Sequence, residues 1–247
     1  MKNFLPPVCL TLLALTTSLY AAESANDPEL QTWEVSAELG ALITTGNTES
    51  TSLMSKLTAK HQLKDWKNKY TFSSLLRENE TTSETGEKVT ETSAEQYSIT
   101  AQGDYMFSET SAAFIFASYT DDKFGAFSQY STIAAGYSFR AINNETLTID
   151  LSAGPGISST KTQSGIEDDG FVARLSSDLE WKVSANAKFT QNISIEAADF
   201  NTRTTTESAL ISSINEDMSM KFGFKTLTNS EVEDGQEKTD TEASATI

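Results

Sequence analysis

Apolar and polar residues trade places with a period of two along nearly the whole chain. From Tyr137 to Leu151 the apolar set is Tyr137, Phe139, Leu147, Ile149 and Leu151, and the polar set is Ser138, Arg140, Thr146, Thr148 and Asp150. Ile142-Asn143-Asn144-Glu145 breaks the two runs. Such a period places alternate side chains on opposite faces of a pleated strand, and the break reads as a hairpin turn.

The same pattern recurs upstream and downstream. Trp33, Val35, Ala37, Leu39, Ala41 and Ile43 alternate with Glu34, Ser36, Glu38 and Thr44, ahead of Thr45-Gly46-Asn47-Thr48. Phe171, Ala173, Leu175, Leu179, Trp181 and Val183 oppose Arg174, Ser176, Asp178, Glu180 and Lys182, and Met218, Met220, Phe222 and Phe224 oppose Ser219, Lys221, Gly223 and Lys225. Past residue 22 no stretch carries a helical period. The pattern predicts an all-β protein with about twelve strands, at 33–44, 50–64, 68–78, 88–105, 110–120, 127–140, 145–158, 170–183, 187–198, 205–214, 218–228 and 238–247. Gly154-Pro155-Gly156 falls inside one of them and predicts a bulge or bend, because proline cannot donate to the ladder.

The connections sort into two ends. Those after even-numbered strands, at 65–67, 106–109, 141–144, 184–186 and 215–217, are tight; most of the others are longer, polar and often acidic. An even strand number with short turns at one end and longer loops at the other is the layout of a closed, antiparallel, up-and-down outer-membrane barrel. Aromatics fall near both sets of ends: Trp33, Trp66, Tyr70, Tyr105, Phe107, Phe139, Trp181 and Phe189 near the short turns, and Tyr97, Tyr119, Phe124, Phe127 and Phe171 opposite them. Girdles of that kind mark the two membrane interfaces.

The polar face then lines a lumen. Its acids are Glu34, Glu38, Asp104, Asp150, Asp178, Glu180, Glu196, Asp240 and Glu242, and its bases are Lys56, Lys60, Arg77, Arg140, Arg174, Lys182, Lys188, Lys221 and Lys225. Charges cannot face lipid cheaply and are expected to pair across a wet or polar interior. Small residues on the same face, Ser98, Thr100, Ser152, Gly154, Ser176 and Gly223, favour an open path.

Composition fits this picture. The N-terminal segment, one lysine followed by an apolar run to Leu19, reads as a secretory signal over 1–22, with Ala22-Glu23-Ser24 an alternative cleavage point. A short periplasmic segment, 23–32, precedes the barrel at 33–247. The single cysteine, Cys9, lies in the signal, so disulfides and thiolate metal sites are not expected in the mature chain. Net charge is −17, becoming −18 without Lys2, which argues against nucleic acid as a partner. The surplus acid gathers mostly outside the expected strands: Glu80, Glu84, Glu87, Glu91 and Glu95 crowd one long loop and its upper strand, and Asp121, Asp122, Glu167, Asp168, Asp169, Glu231, Glu233, Asp234 and Glu237 occupy other loops. Such a rim could attract divalent cations beside anionic surface lipid, although no EF-hand spacing is present.

Catalytic chemistry is not expected, nor is a cofactor. His61 is the only histidine and falls on the outward face beside a short turn. A nucleophile–histidine pair, a histidine metal cluster and a phosphate-binding glycine loop all lack their parts.

Trp33 to Gly40 leading into Thr45-Gly46-Asn47-Thr48, Trp181-Lys182-Val183-Ser184 and Lys238-Thr239-Asp240-Thr241-Glu242 together resemble the YdiY-like, salt-induced outer-membrane proteins, a domain family of unknown function. The likeness covers about 33–247. It implies an outer-membrane barrel whose abundance responds to salt, assembled by the barrel-insertion machinery, with no catalytic residues to carry over. One departure is the ending Ala245-Thr246-Ile247, where family members usually carry further residues and a terminal aromatic; this implies impaired insertion or a clipped sequence. The function expected is a small channel for ions or small polar solutes. A non-conducting structural or ion-binding barrel and a soluble secreted β-sandwich are the alternatives.

Overall fold

A computed structural model describes residues 32–44, 49–82 and 88–247. Twelve strands follow one another: β1 (Thr32–Thr44), β2 (Glu49–Gln62), β3 (Trp66–Thr82), β4 (Lys88–Met106), β5 (Ser111–Asp122), β6 (Phe127–Asn143), β7 (Leu147–Thr162), β8 (Glu167–Ser184), β9 (Ala187–Ala198), β10 (Thr202–Ser213), β11 (Ser219–Asn229) and β12 (Thr239–Thr246). Each pairs antiparallel with the next, in chain order. The ends of the sheet meet where Leu39 N donates to Ile247 O at 3.0 Å and Ile247 N returns to Leu39 O at 3.2 Å. A sheet closed on itself leaves no long edge for solvent or lipid to satisfy, which is the condition a spanning β structure must meet. The ladder rules out the soluble sandwich, which would need two facing sheets.

Short side chains of turn residues fix the tight ends. Asn144 Oδ1 accepts from the backbone N–H of Thr146 at 3.0 Å and of Leu147 at 2.8 Å, and Asn215 Oδ1 does the same for Asp217 and Met218 at 2.9 and 2.8 Å. Asparagine mimics a backbone acceptor in such turns, which pins the β6–β7 and β10–β11 registers.

Two expectations need correction. The connections at the opposite end are short as well (123–126, 163–166 and 199–201), and only 230–238 is extended; 45–48 and 83–87 lie outside the described residues. Six of the acids expected in loops stand on strands instead: Glu80 on β3, Asp121 and Asp122 on β5, and Glu167, Asp168 and Asp169 on β8. Threonine and serine around them tolerate the pleat, so the ladder continues beyond the apolar band and the walls rise where loops were expected. Glu84 and Glu87 lie outside the described residues.

The second correction concerns Gly154-Pro155-Gly156. Ala134 pairs with Gly156 and Tyr137 with Ala153 in one unbroken register, and the register shifts of this ladder occur at Phe127/Gln129 and Arg140/Ile142. The glycines serve close approach: a Cβ on Gly154 would stand 2.2 Å from Ala135 O, and one on Gly136 2.2 Å from Ala153 O. Backbone fills the space a side chain would need.

One apolar residue per strand encircles the barrel from β1 to β11: Leu39, Leu57, Phe72, Ile99, Ile115, Ile133, Ile157, Leu175, Ile193, Leu210 and Phe222 are all exposed. In water such a surface would be a severe liability; facing acyl chains it is the requirement. Trp33, Trp66, Tyr105, Phe107, Phe139 and Trp181 flank the band near the tight-turn end, and Tyr97, Tyr119 and Phe171 near the other. His61 stacks flat on Trp33, ring centroids 4.0 Å apart, within the first girdle.

Candidate functional site

With the apolar set outside, the polar set shares the lumen, and its charges sort into three groups. Toward the tight-turn end Arg140 and Asp150 form a two-pronged pair at 2.7 and 2.9 Å, and Lys188 reaches Glu180 at 3.1 Å. Asn192 Nδ2 donates to Asp178 at 2.5 Å, Gln102 and Ser138 donate to Asp104 at 3.1–3.2 Å, and Lys60 reaches Glu34 at 3.1 Å. Lys67 and Lys69, register partners of Asp104 and Gln102, share this face, as does Lys182; none of these three lysines makes an ion pair among the described residues.

The second group lies behind the closing seam. Glu207 Oε1 accepts from Lys56 Nζ and Lys221 Nζ, both at 3.1 Å, and Lys221 also reaches Glu38 Oε2 at 3.1 Å. The chain of charges ties β2 and β1 to β10 and β11 across the short β12. Arg77 Nε donates to Ser52 at 3.1 Å. Lys225 faces Glu207 and Glu242 in register, and Asp240 is two residues along the same face of β12.

The third group crosses the interior at mid-height. Arg174 Cζ lies 3.8 Å over the Phe116 ring, and its Nε is 3.5 Å from Glu196 Oε1. Thr132 Oγ1 donates to Glu196 Oε2 at 3.0 Å. Nearer the outer end Arg203 Cζ lies 4.0 Å over Tyr130. Phe114, Phe116, Tyr130, Thr132, Arg174 and Glu196 are all buried, and Asn201 donates to Asn229 at 2.9 Å above them, both buried too.

Phe114, Phe116, Tyr130, Arg203, Glu207, Lys67 and Lys69 were not anticipated from the sequence. Glu207 and Arg203 fell in or beside a strand whose faces were not assigned, and β10 begins early enough, at Thr202, to include Arg203. The inward phenylalanines did leave a signal: Phe114-Ile115-Phe116 is apolar at consecutive positions, so both faces of β5 must be apolar there.

At the outer end the connections are tied to one another. Gln163 Nε2 donates to Asp122 O and Gly125 O, both at 2.9 Å, and Ser164 donates to Glu233 through both its backbone N–H, at 3.3 Å, and its hydroxyl. Those bonds hold the Glu233 carboxyl below the usual glutamate range. Lys123 Nζ reaches Glu95 at 2.5 Å, and that bond holds the ammonium above the usual lysine range.

The family model described as "Protein of unknown function, DUF481" matches residues 37–247. The chain belongs to that family. It is 29% identical over 201 residues to the uncharacterised protein YdiY of Escherichia coli (strain K12), covering 81% of this chain and 75% of that one. The fold of this DUF481 member is similar to a NanC porin structure at a TM-score of 0.50 and 11% identity, over 85% of this chain and 97% of that one. A KdgM porin solved in complex with disordered oligogalacturonate aligns at a TM-score of 0.43 and 8% identity, over 85% and 96% of the two chains. The fold is a closed, porin-like β-barrel, and its exposed apolar band fits a membrane.

Proposed function

We propose that this DUF481 protein is a small outer-membrane channel for ions or small polar solutes, with an acidic outer mouth that gathers cations. The observation that carries the reading is the lumen itself. Charged and hydrogen-bonding side chains run along the interior from Glu34 and Lys60 to Gln96 and Asp122, which a purely structural barrel could replace with packed apolar residues. Twelve strands also enclose more space than the eight that side chains fill completely. The rim acids attract cations by summed field, without chelation: among the described residues no three metal-ligating side chains converge. Divalent ions would be held diffusely, beside anionic lipid. Catalysis has no place in this reading, since His61 is engaged with Trp33 on the outer wall. Assembly by the barrel-insertion machinery and a link to salt response follow from the family resemblance.

Conductance of the refolded protein in a planar bilayer under a salt gradient tests this. Discrete steps with cation preference support the channel. The inward Phe114, Phe116 and Tyr130 favour a second reading, a non-conducting envelope barrel, and a silent bilayer from folded protein would establish it.

A further inference from the structure

Among the cross-lumen contacts, those at mid-height differ in kind. The pairs at the tight-turn end and behind the seam are hydrogen-bonded at 2.5–3.2 Å. At mid-height Thr132 donates to Glu196 at 3.0 Å and Arg174 Nη1 to Ser176 Oγ at 3.3 Å, but neither Arg174 nor Arg203 is hydrogen-bonded across the lumen. Arg203 stands over Tyr130 and makes no hydrogen bond among the described residues. Arg174 approaches Glu196 at 3.5 Å, a Coulombic contact longer than a hydrogen bond, and its buried Nε has no hydrogen-bond partner; neither has the Tyr130 hydroxyl. The ring–guanidinium contacts can part without breaking a hydrogen bond, whereas a permanent plug is expected to satisfy its buried polar groups.

Position adds a second argument. Phe116 on β5 meets Arg174 on β8, three strands away, and Tyr130 on β6 meets Arg203 on β10, four strands away. These are chords through the interior rather than neighbours along the wall. Glu196 links the two layers, since it contacts Arg174 and is the register partner of Arg203. The wall between β5 and β8 carries Ala134, Gly136 and Gly154 at the same height, so no bulky side chain stands ready to replace a departing ring.

We infer that the stacked pairs Phe116–Arg174 and Tyr130–Arg203, sharing Glu196, form a displaceable gate that sets both the bore and the charge preference of this lumen. The inference rests on the channel reading above. The aromatic rings set the bore. The two guanidinium groups, partly offset by one carboxylate, leave the constriction net positive, so it limits the cation preference that the acidic mouth confers.

The test is single-channel recording on the full chain refolded in detergent, with heat-dependent gel mobility confirming that each variant is folded. Phe116→Ala and Tyr130→Ala are expected to raise unitary conductance severalfold, more in the double variant, with little change in reversal potential. Glu196→Gln is expected to shift the reversal potential toward anions, because both arginines lose their shared counter-charge. Wild type and both alanine variants conducting equally would overturn the gate and leave the channel reading intact. A folded double variant that stays silent would overturn both.

Discussion

Arg140 and Asp150 face each other across the β6–β7 ladder as a two-pronged pair, Nε 2.7 Å from Oδ1 and Nη2 2.9 Å from Oδ2. They lie on the polar side of the hairpin, and both remain partly open to the lumen. The geometry is ideal for a guanidinium and a carboxylate, yet a solvated setting weakens the pair.

Asp150→Ala is therefore expected to lower stability by no more than about 1 kcal/mol. Urea unfolding in lipid vesicles, followed by tryptophan fluorescence, measures this. A much larger loss would mean that water does not reach the pair.

Glu196→Ala should behave differently. Arg174 and Glu196 are 7% and 9% exposed at the side chain, so truncating the acid strands a buried cation. The expected cost is about 3–5 kcal/mol. In the same assay the double variant Glu196→Leu with Arg174→Met should lose less than Glu196→Ala alone, because no charge is left behind.

The two faces are tested by one residue pair. Leu175 is exposed on the outer band and Ser176 is its inward neighbour, hydrogen-bonded to Ser152 at 2.6 Å. Leu175→Lys is expected to cost about 2–4 kcal/mol in a bilayer, as lysine does near the midplane of a barrel wall. Ser176→Lys should cost less and instead change conductance. Equal costs would contradict the assignment of faces.

Acid should loosen the outer end before the barrel. The Glu233 carboxyl is held below its ordinary value by the bonds from Ser164, so the tie contributes above the unfolded-state value of 4.5 and is lost as pH falls through the lower folded one. Hydrogen exchange over 163–166 and 230–238 is expected to accelerate in that acid window while β1–β12 stay protected. In Ser164→Ala the acceleration should be largely absent, exchange there being fast already at neutral pH.

Much of the wall was readable from the chain. Leu147, Ile149 and Leu151 against Thr148 and Asp150 fix two faces regardless of what surrounds them, since the strand period is a property of the backbone. Contacts between distant strands were not readable in the same way. Nothing in the spacing of Lys56, Glu207 and Lys221 says that they converge; the ring closure that brings β2 beside β10 across β12 and β1 does so.

Gly154-Pro155-Gly156 shows the same division. Its composition announces irregular backbone, and the observed structure is a regular register with unusually close strands. Local chemistry constrained what this segment could tolerate, while the neighbouring Ala135 and Gly136 decided which tolerance was used.

Alternation, turn residues and charge placement, read from the sequence alone, determined an all-β wall with one apolar and one polar side, because these depend on residues a few positions apart. Tertiary structure alone decided what the polar side does. Whether Arg174 meets Phe116, and whether Arg203 meets Tyr130, depends on the curvature and closure of the sheet, which bring side chains from strands three and four places apart into contact across the lumen.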